Sequence, residues 1–174
     1  RHVFRKNKAW LNGLSEALVA REAERFGKEV GEDDWIGPAL SELRRHQDQG
    51  DVVVLLSGSL QPIVEVLGRR FGADEAIGTE CDVAHGRYTA APASRHPFYE
   101  EKVALLRSIC EKYKVAETDI VAYADSTFDI PLLSGVGHPV AVCPDRGLAT
   151  WARANNSRTI ENNRPTIGHE QKIP

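Results

Sequence analysis

The feature that most constrains this chain is a recurring short run of β-branched and apolar residues, each followed by a turn and then by a helix-like stretch. Val52-Val53-Val54-Leu55-Leu56 lies between Gly50 and Gly58, Ile120-Val121-Ala122-Tyr123 precedes an acidic turn, and Pro139 to Cys143 makes a third run. Runs this short, with no polar residue at alternate positions, read as strands buried on both faces, the habit of parallel sheets. Parallel neighbours need crossover connections, and helical stretches lie between the runs: from Ser59, with Pro62 in its first turn, to Gly68 or Gly72; from Tyr99 to Tyr113; from Leu148 to Ala154. The expectation is an α/β fold, a mostly parallel sheet with helices on both faces, and ligands outside the carboxyl ends of the strands.

The rest of the chain fits around that frame. Residues 5–49 read as helices, one capped by Ser15 and ended by Gly31, the next capped by Asp33 or Asp34 and ended by Gly50. Residues 76–89 suit a strand or hairpin turning at His85-Gly86, residues 90–97 a loop, Pro131–Ser134 a helical turn and Arg158–Glu161 a last short strand. The 22 Lys and Arg against 25 Asp and Glu leave a net charge of −3, which offers nucleic acid no electrostatic attraction. No apolar run approaches the roughly 20 residues of a membrane span, so no membrane partner is expected. Cys81, Cys110 and Cys143 are scattered and odd in number, against a disulfide framework or zinc cluster and in keeping with a reducing cytoplasm. The 174 residues contain no methionine and open on Arg1-His2-Val3-Phe4, so the expectation is that an N-terminal piece is missing.

Three strand ends carry candidate chemistry. Ser57-Gly58-Ser59 follows the first run: at a helix start its amides and hydroxyls would bind an anion, although the serines equally suit helix caps. Asp125 and Asp129 flank Ser126-Thr127-Phe128 after the second run. Two carboxylates on a tight loop at a buried strand suit Mg²⁺, a hard cation that takes oxygen ligands and keeps waters, or they cap the next short helix. Asp145, after the third run, reads as the cap of the Leu148 helix. Lys102, near the start of the helix feeding the acidic loop, either points its ammonium at the same mouth or stays solvated; Lys112 and Lys114 fit the solvated role. Serine, lysine and acid pair together are equipment for phosphoryl transfer. No D-x-D occurs anywhere, so a nucleophile with its acid partner is lacking.

VVVLLSGSL, then a helix lysine, then IVAYADSTFDIPLL and GHPVAVCPDRGLATWA resemble the haloacid dehalogenase-like phosphatases, in the branch containing phosphoserine phosphatase, over roughly residues 45–160. The resemblance implies a Rossmann-like core at residues 49–163, residues 1–48 as part of a helical cap and its return segment, and a tail at 164–174. It implies phosphoryl binding by Ser57, Gly58 and Lys102, with Ser57 and Lys102 serving catalysis. It implies Mg²⁺ at Asp125, and Asp129 holding a metal water or orienting the loop. The substrate would be a small phosphorylated metabolite, phosphoserine-like, hydrolysed through an aspartyl-phosphate. Alanine stands at 124 where the family's loop has glycine. The family's first motif, D-x-D-x-T on a central strand, has no match, so that strand is expected upstream of residue 1. The alternative is a non-catalytic module binding a phosphorylated ligand or a protein partner. A nucleotide-binding α/β domain is the weaker third reading, since neither glycine-rich nucleotide motif is present.

Overall fold

The computed structural model describes residues 6–162; the expected tail at 164–174 lies outside the described residues. After a 3₁₀ turn at Lys6–Leu11 come α1 (Glu16–Glu29), α2 (Gly37–Gln49), β1 (Val54–Leu60), α3 (Gln61–Phe71), β2 (Glu75–Thr79), β3 (Val83–Ala84), β4 (Arg87–Tyr88), α4 (Glu100–Tyr113), β5 (Val121–Ala124), α5 (Ile130–Leu133), β6 (His138–Val142), α6 (Arg146–Ala154) and β7 (Arg158–Ile160). β1 pairs parallel with β2, and β5–β6–β7 form a second parallel set. β3 and β4 make a small antiparallel hairpin whose turn uses His85 and Gly86, both with positive φ, as the sequence suggests. Among the described residues no helix is long and apolar enough to cross a membrane.

Alternation along the strands decides which helix covers which face. Ala122, Ala124 and Ala141 point one way, onto Ile130, Leu133, Leu148, Trp151 and Ala152 of α5 and α6. Val121, Tyr123, Val140, Val142 and Ile160 point the other way, onto Ile36 and Ala39 at the start of α2. The small residues let α5 and α6 sit close, while the larger ones fill the wider space beneath α2. The fold is therefore α/β with helices on both faces of a mostly parallel sheet, as expected.

Several boundaries differ from expectation, each for a local reason. The next helix is capped by neither Asp33 nor Asp34. Asp34 turns its carboxylate back to accept the Gly31 N–H at 2.8 Å, and Ile36 takes the cap position with Pro38 in the first turn. The first strand starts at Val54 rather than Val52, which is half exposed, and its residues 54–58 are only partly buried. The second begins at Val121, because Glu117–Asp119 winds into a 3₁₀ turn. The expected caps at Ser15 and Gly50 are found, Gly50 with φ of 77°.

Candidate functional site

The largest correction concerns the serine turn. Ser57-Gly58-Ser59 does not begin a helix; it lies within β1, and α3 starts only at Gln61 with Leu60 as its cap. Leu56 pairs with Ile77 and Leu60 with Thr79, so four steps of β1 oppose two of β2. The surplus backbone bulges outward, a device that re-aims side chains beside functional sites. Gly78 permits it, because a Cβ there would come within 2.9 Å of the Ser59 carbonyl and 2.8 Å of the Gln61 Cα. Neither serine is a helix cap. Ser57 Oγ instead accepts the Ser59 N–H at 3.1 Å, which leaves the hydroxyl's own proton available.

The acidic loop is held from behind. Asp145 caps α6 as expected, accepting the Leu148 N–H at 2.8 Å, and also accepts the Thr127 N–H at 2.7 Å and the Thr127 hydroxyl. These donors, the Leu148 amide first and then the Thr127 hydroxyl and amide, hold the Asp145 carboxyl down at about 2. Gly147 is required here, since a Cβ would overlap the Thr127 hydroxyl. Ser126, not an aspartate, caps the 3₁₀ turn at Thr127–Asp129 by accepting the Phe128 N–H at 3.3 Å. Asp129 holds the N-cap position of α5, but its side chain makes no capping hydrogen bond, so neither carboxylate is spent on a cap. Asp125 is exposed at the end of β5, and Asp129 is buried. Ala124 lies in β5 and is not among the residues with positive φ, so the place of the family's glycine is filled without backbone strain.

Lys102 is not a solvated surface residue. Its Nζ lies 2.7 Å from Asp129 Oδ1, with the two side chains only 13% and 11% exposed. Aromatic contacts bring the two loops together: Phe98 and Tyr99, ahead of α4, pack on Phe128 of the acidic loop with ring centroids 5.0 and 5.8 Å apart. Tyr99 takes φ 56° and ψ −125° at the helix cap, a strained setting for a residue with a side chain. Lys112 keeps the expected solvated role, its side chain 59% exposed while its ammonium reaches Glu75 at 2.7 Å on the surface. Trp35 packs edge-on against Phe71 at 4.8 Å, and Arg21 and Arg25 stay exposed beside Glu22.

The loop before α4 also touches the serine turn, a link with no signal in the sequence. Thr79, at the end of β2 and 1% exposed, donates to the Gly58 carbonyl at 2.7 Å, and His96 Nδ1 lies 2.8 Å from the Thr79 hydroxyl. Residues 96–102 therefore bridge the serine turn on one side and the acidic loop on the other. A separate cleft of about 200 Å³ is lined by Glu16, Glu65 and Glu80 and includes neither Lys102 nor Asp125; its carboxylates would repel a phosphate.

The residues at the acidic loop fit a Mg²⁺ site of the kind completed by water and phosphate. Among the described residues there is no cluster of three metal-binding side chains. Mg²⁺ commonly takes only one or two carboxylates, however, with waters and substrate oxygens supplying the rest. Asp125 is the exposed carboxylate available for this, while Asp129 is engaged by Lys102.

Comparison with known proteins accords with this geometry. The family model described as haloacid dehalogenase-like hydrolase matches residues 1–134. The chain is 30% identical over 172 residues to an inhibition of morphological differentiation protein of Streptomyces azureus, covering 96% of this chain and 61% of that protein. It is 30% identical over 151 residues to a phosphoserine phosphatase of Mycobacterium tuberculosis, covering 86% and 48% respectively. A crystal structure of a Bordetella pertussis protein of unknown function superposes with a TM-score of 0.74 at 28% identity, covering 84% of this chain and 67% of that one. The chain thus spans about half to three fifths of the length of these two curated relatives.

Proposed function

Because the chain belongs to the haloacid dehalogenase-like hydrolases, we propose that it carries the phosphate-binding and metal-binding part of a Mg²⁺-dependent phosphomonoesterase. The observation that supports this most is the buried pair between Lys102 of α4 and Asp129 of the loop that presents Asp125. A cation that merely adorned a surface helix would not be held so far from water.

In this reading Ser57 donates its free hydroxyl proton, and Gly58 its amide, to oxygens of the transferring phosphoryl group. Lys102, its ammonium oriented by Asp129, meets another oxygen. Asp125 would hold Mg²⁺, which when bound would neutralise charge on the phosphoryl oxygens. β1 and β5 each pair along one edge only among the described residues. A strand seated between them, bearing paired aspartates, would supply the nucleophile for an aspartyl-phosphate and the general acid–base. Residues 1–48 are then the later part of a cap and its return to the core at 49–163, which selects the leaving group. The substrate is a small phosphorylated metabolite, phosphoserine-like, in the cytoplasm, where free thiols such as Cys81, Cys110 and Cys143 persist.

The test uses the full-length protein, with release of inorganic phosphate from phosphoserine and p-nitrophenyl phosphate followed with and without Mg²⁺. Turnover is expected in the parent and should be abolished by Lys102→Ala and by Asp125→Asn. Wild-type-like rates in either variant overturn the assignment. Phosphate binding by calorimetry without any turnover in the parent would assign the chain instead to a non-catalytic binding module.

A further inference from the structure

Resting on the phosphate-binding role of Ser57, we infer that Thr79 and His96 are positioning residues that polarise the Ser57 hydroxyl as a donor toward the phosphoryl group. The chain of contacts runs from His96 Nδ1 to Thr79 Oγ1 at 2.8 Å, from Thr79 Oγ1 to the Gly58 carbonyl at 2.7 Å, and from the Ser59 N–H to Ser57 Oγ at 3.1 Å. The Gly58 carbonyl and the Ser59 N–H are the two ends of one planar peptide group. Clamping the carbonyl from below aims the N–H at Ser57 above.

The direction of every proton in this chain follows from counting donors. A threonine hydroxyl has one proton, and the Gly58 carbonyl has none. Thr79 therefore spends its proton on Gly58 and must accept from His96, which puts a hydrogen on His96 Nδ1. The peptide passes the polarity on: its N–H fills a lone pair of Ser57 Oγ, so the Ser57 proton points away, to an external acceptor. Hydrogen bonds in sequence strengthen one another in a low-dielectric setting. The His96–Thr79 end of this series is sheltered, with Thr79 at 1% and His96 at 5% exposure, while the Ser59–Ser57 bond at the other end is open to solvent, where a phosphate would arrive. The packing leaves the ring little freedom, since His96 stacks on Phe98 at 5.7 Å and its Cε1 would lie 3.7 Å from a Cβ at Gly58. A helix terminus would aim amides at the anion directly. Here the serine turn lies in a strand bulge, and this chain supplies the orientation.

The experiment is a double-mutant cycle in the full-length enzyme, read as the inhibition constant of inorganic phosphate against p-nitrophenyl phosphate. Thr79→Val keeps the buried shape and removes the hydroxyl. It should weaken phosphate inhibition about tenfold, the scale of one well-made hydrogen bond. Thr79→Ser should restore it. In a Ser57→Ala background, Thr79→Val should change it less than about twofold, because the effect travels through the serine. Val140→Ala, buried 3% exposed in another cluster, controls for lost stability and should leave the constant unchanged. Nitrogen NMR of His96 should show Nδ1 protonated in the parent. Equal effects of Thr79→Val with and without Ser57, no rescue by serine, or a bare Nδ1 each overturn the relay. Failure of the phosphatase reading looks different: a parent enzyme insensitive to phosphate, or a Ser57→Ala variant with unchanged inhibition, removes both.

Discussion

The buried pair between Lys102 and Asp129 lends itself to a quantitative test. At 2.7 Å two unit charges attract by about 6 kcal/mol at an effective dielectric near ~20. Desolvation of both groups cancels much of that, so the pair itself contributes little net stability. Breaking it is another matter, because the surviving charge stays in a site that excludes water. Such losses run to about 3–5 kcal/mol when burial is complete. The side chains retain 13% and 11% of their exposure, which lowers the expectation to about 2–4 kcal/mol for Lys102→Met or Asp129→Leu alone. The double variant removes both charges and should be more stable than the sum of the singles by about 2 kcal/mol or more. Urea unfolding of the full-length protein at neutral pH measures all four states. Phosphatase turnover should be absent in Lys102→Met and in the double variant whose stability recovers, because the ammonium that meets the phosphoryl oxygen is gone, and reduced in Asp129→Leu, where the ammonium remains but loses the carboxylate that orients it. Single variants costing under about 1 kcal/mol, with additive effects, would refute the reasoning: the pair would then be solvated and the lysine not held at the mouth of the site.

Two further outcomes follow from the support behind the acidic loop. Gly147→Ala forces a Cβ onto the Thr127 hydroxyl and should destabilise by about 1–3 kcal/mol while lowering Mg²⁺-dependent turnover, as checked by thermal unfolding and steady-state rates. Asp145 is depressed from an ordinary 3.8 to about 2, so the unfolded state takes up its proton first as acid is added. Its contribution to stability is complete above about pH 4 and fades as pH falls toward about 2. Acid titration of the parent against Asp145→Asn should show that part of the acid limb missing in the variant; superimposable limbs would count against the clamp.

The candidate residues were legible because each occupies a place where packing alone would choose something else. Carboxylates and serines at the ends of apolar runs are conspicuous, and the 3.6 and 2.0 periodicities locate those ends to within a few residues. Where expectation slipped, a nearby competitor won. Asp34 found the Gly31 amide closer than the helix it was expected to cap, and Pro38 supplied a start without it. The serine turn looked like a helix start because Pro62 follows soon after. Only pairing with β2 shows that the chain remains extended through Leu60.

The alternation of strand and helix, the resemblance to a phosphatase family and the residue types at each strand end can all be read along the chain. These depend on neighbours a few positions apart, which a linear reading sees. Which of those groups meet depends on how distant segments pack. Lys102 and Asp129 are 27 positions apart, and His96 reaches Gly58 through Thr79 across three separate segments. Nothing local marks Thr79 or His96, one a strand-end threonine and the other a loop histidine. Their roles arise because a bulge in β1, the end of β2 and the loop before α4 are packed so tightly that one buried hydroxyl must serve two partners. That constraint exists only once the chain has closed on itself.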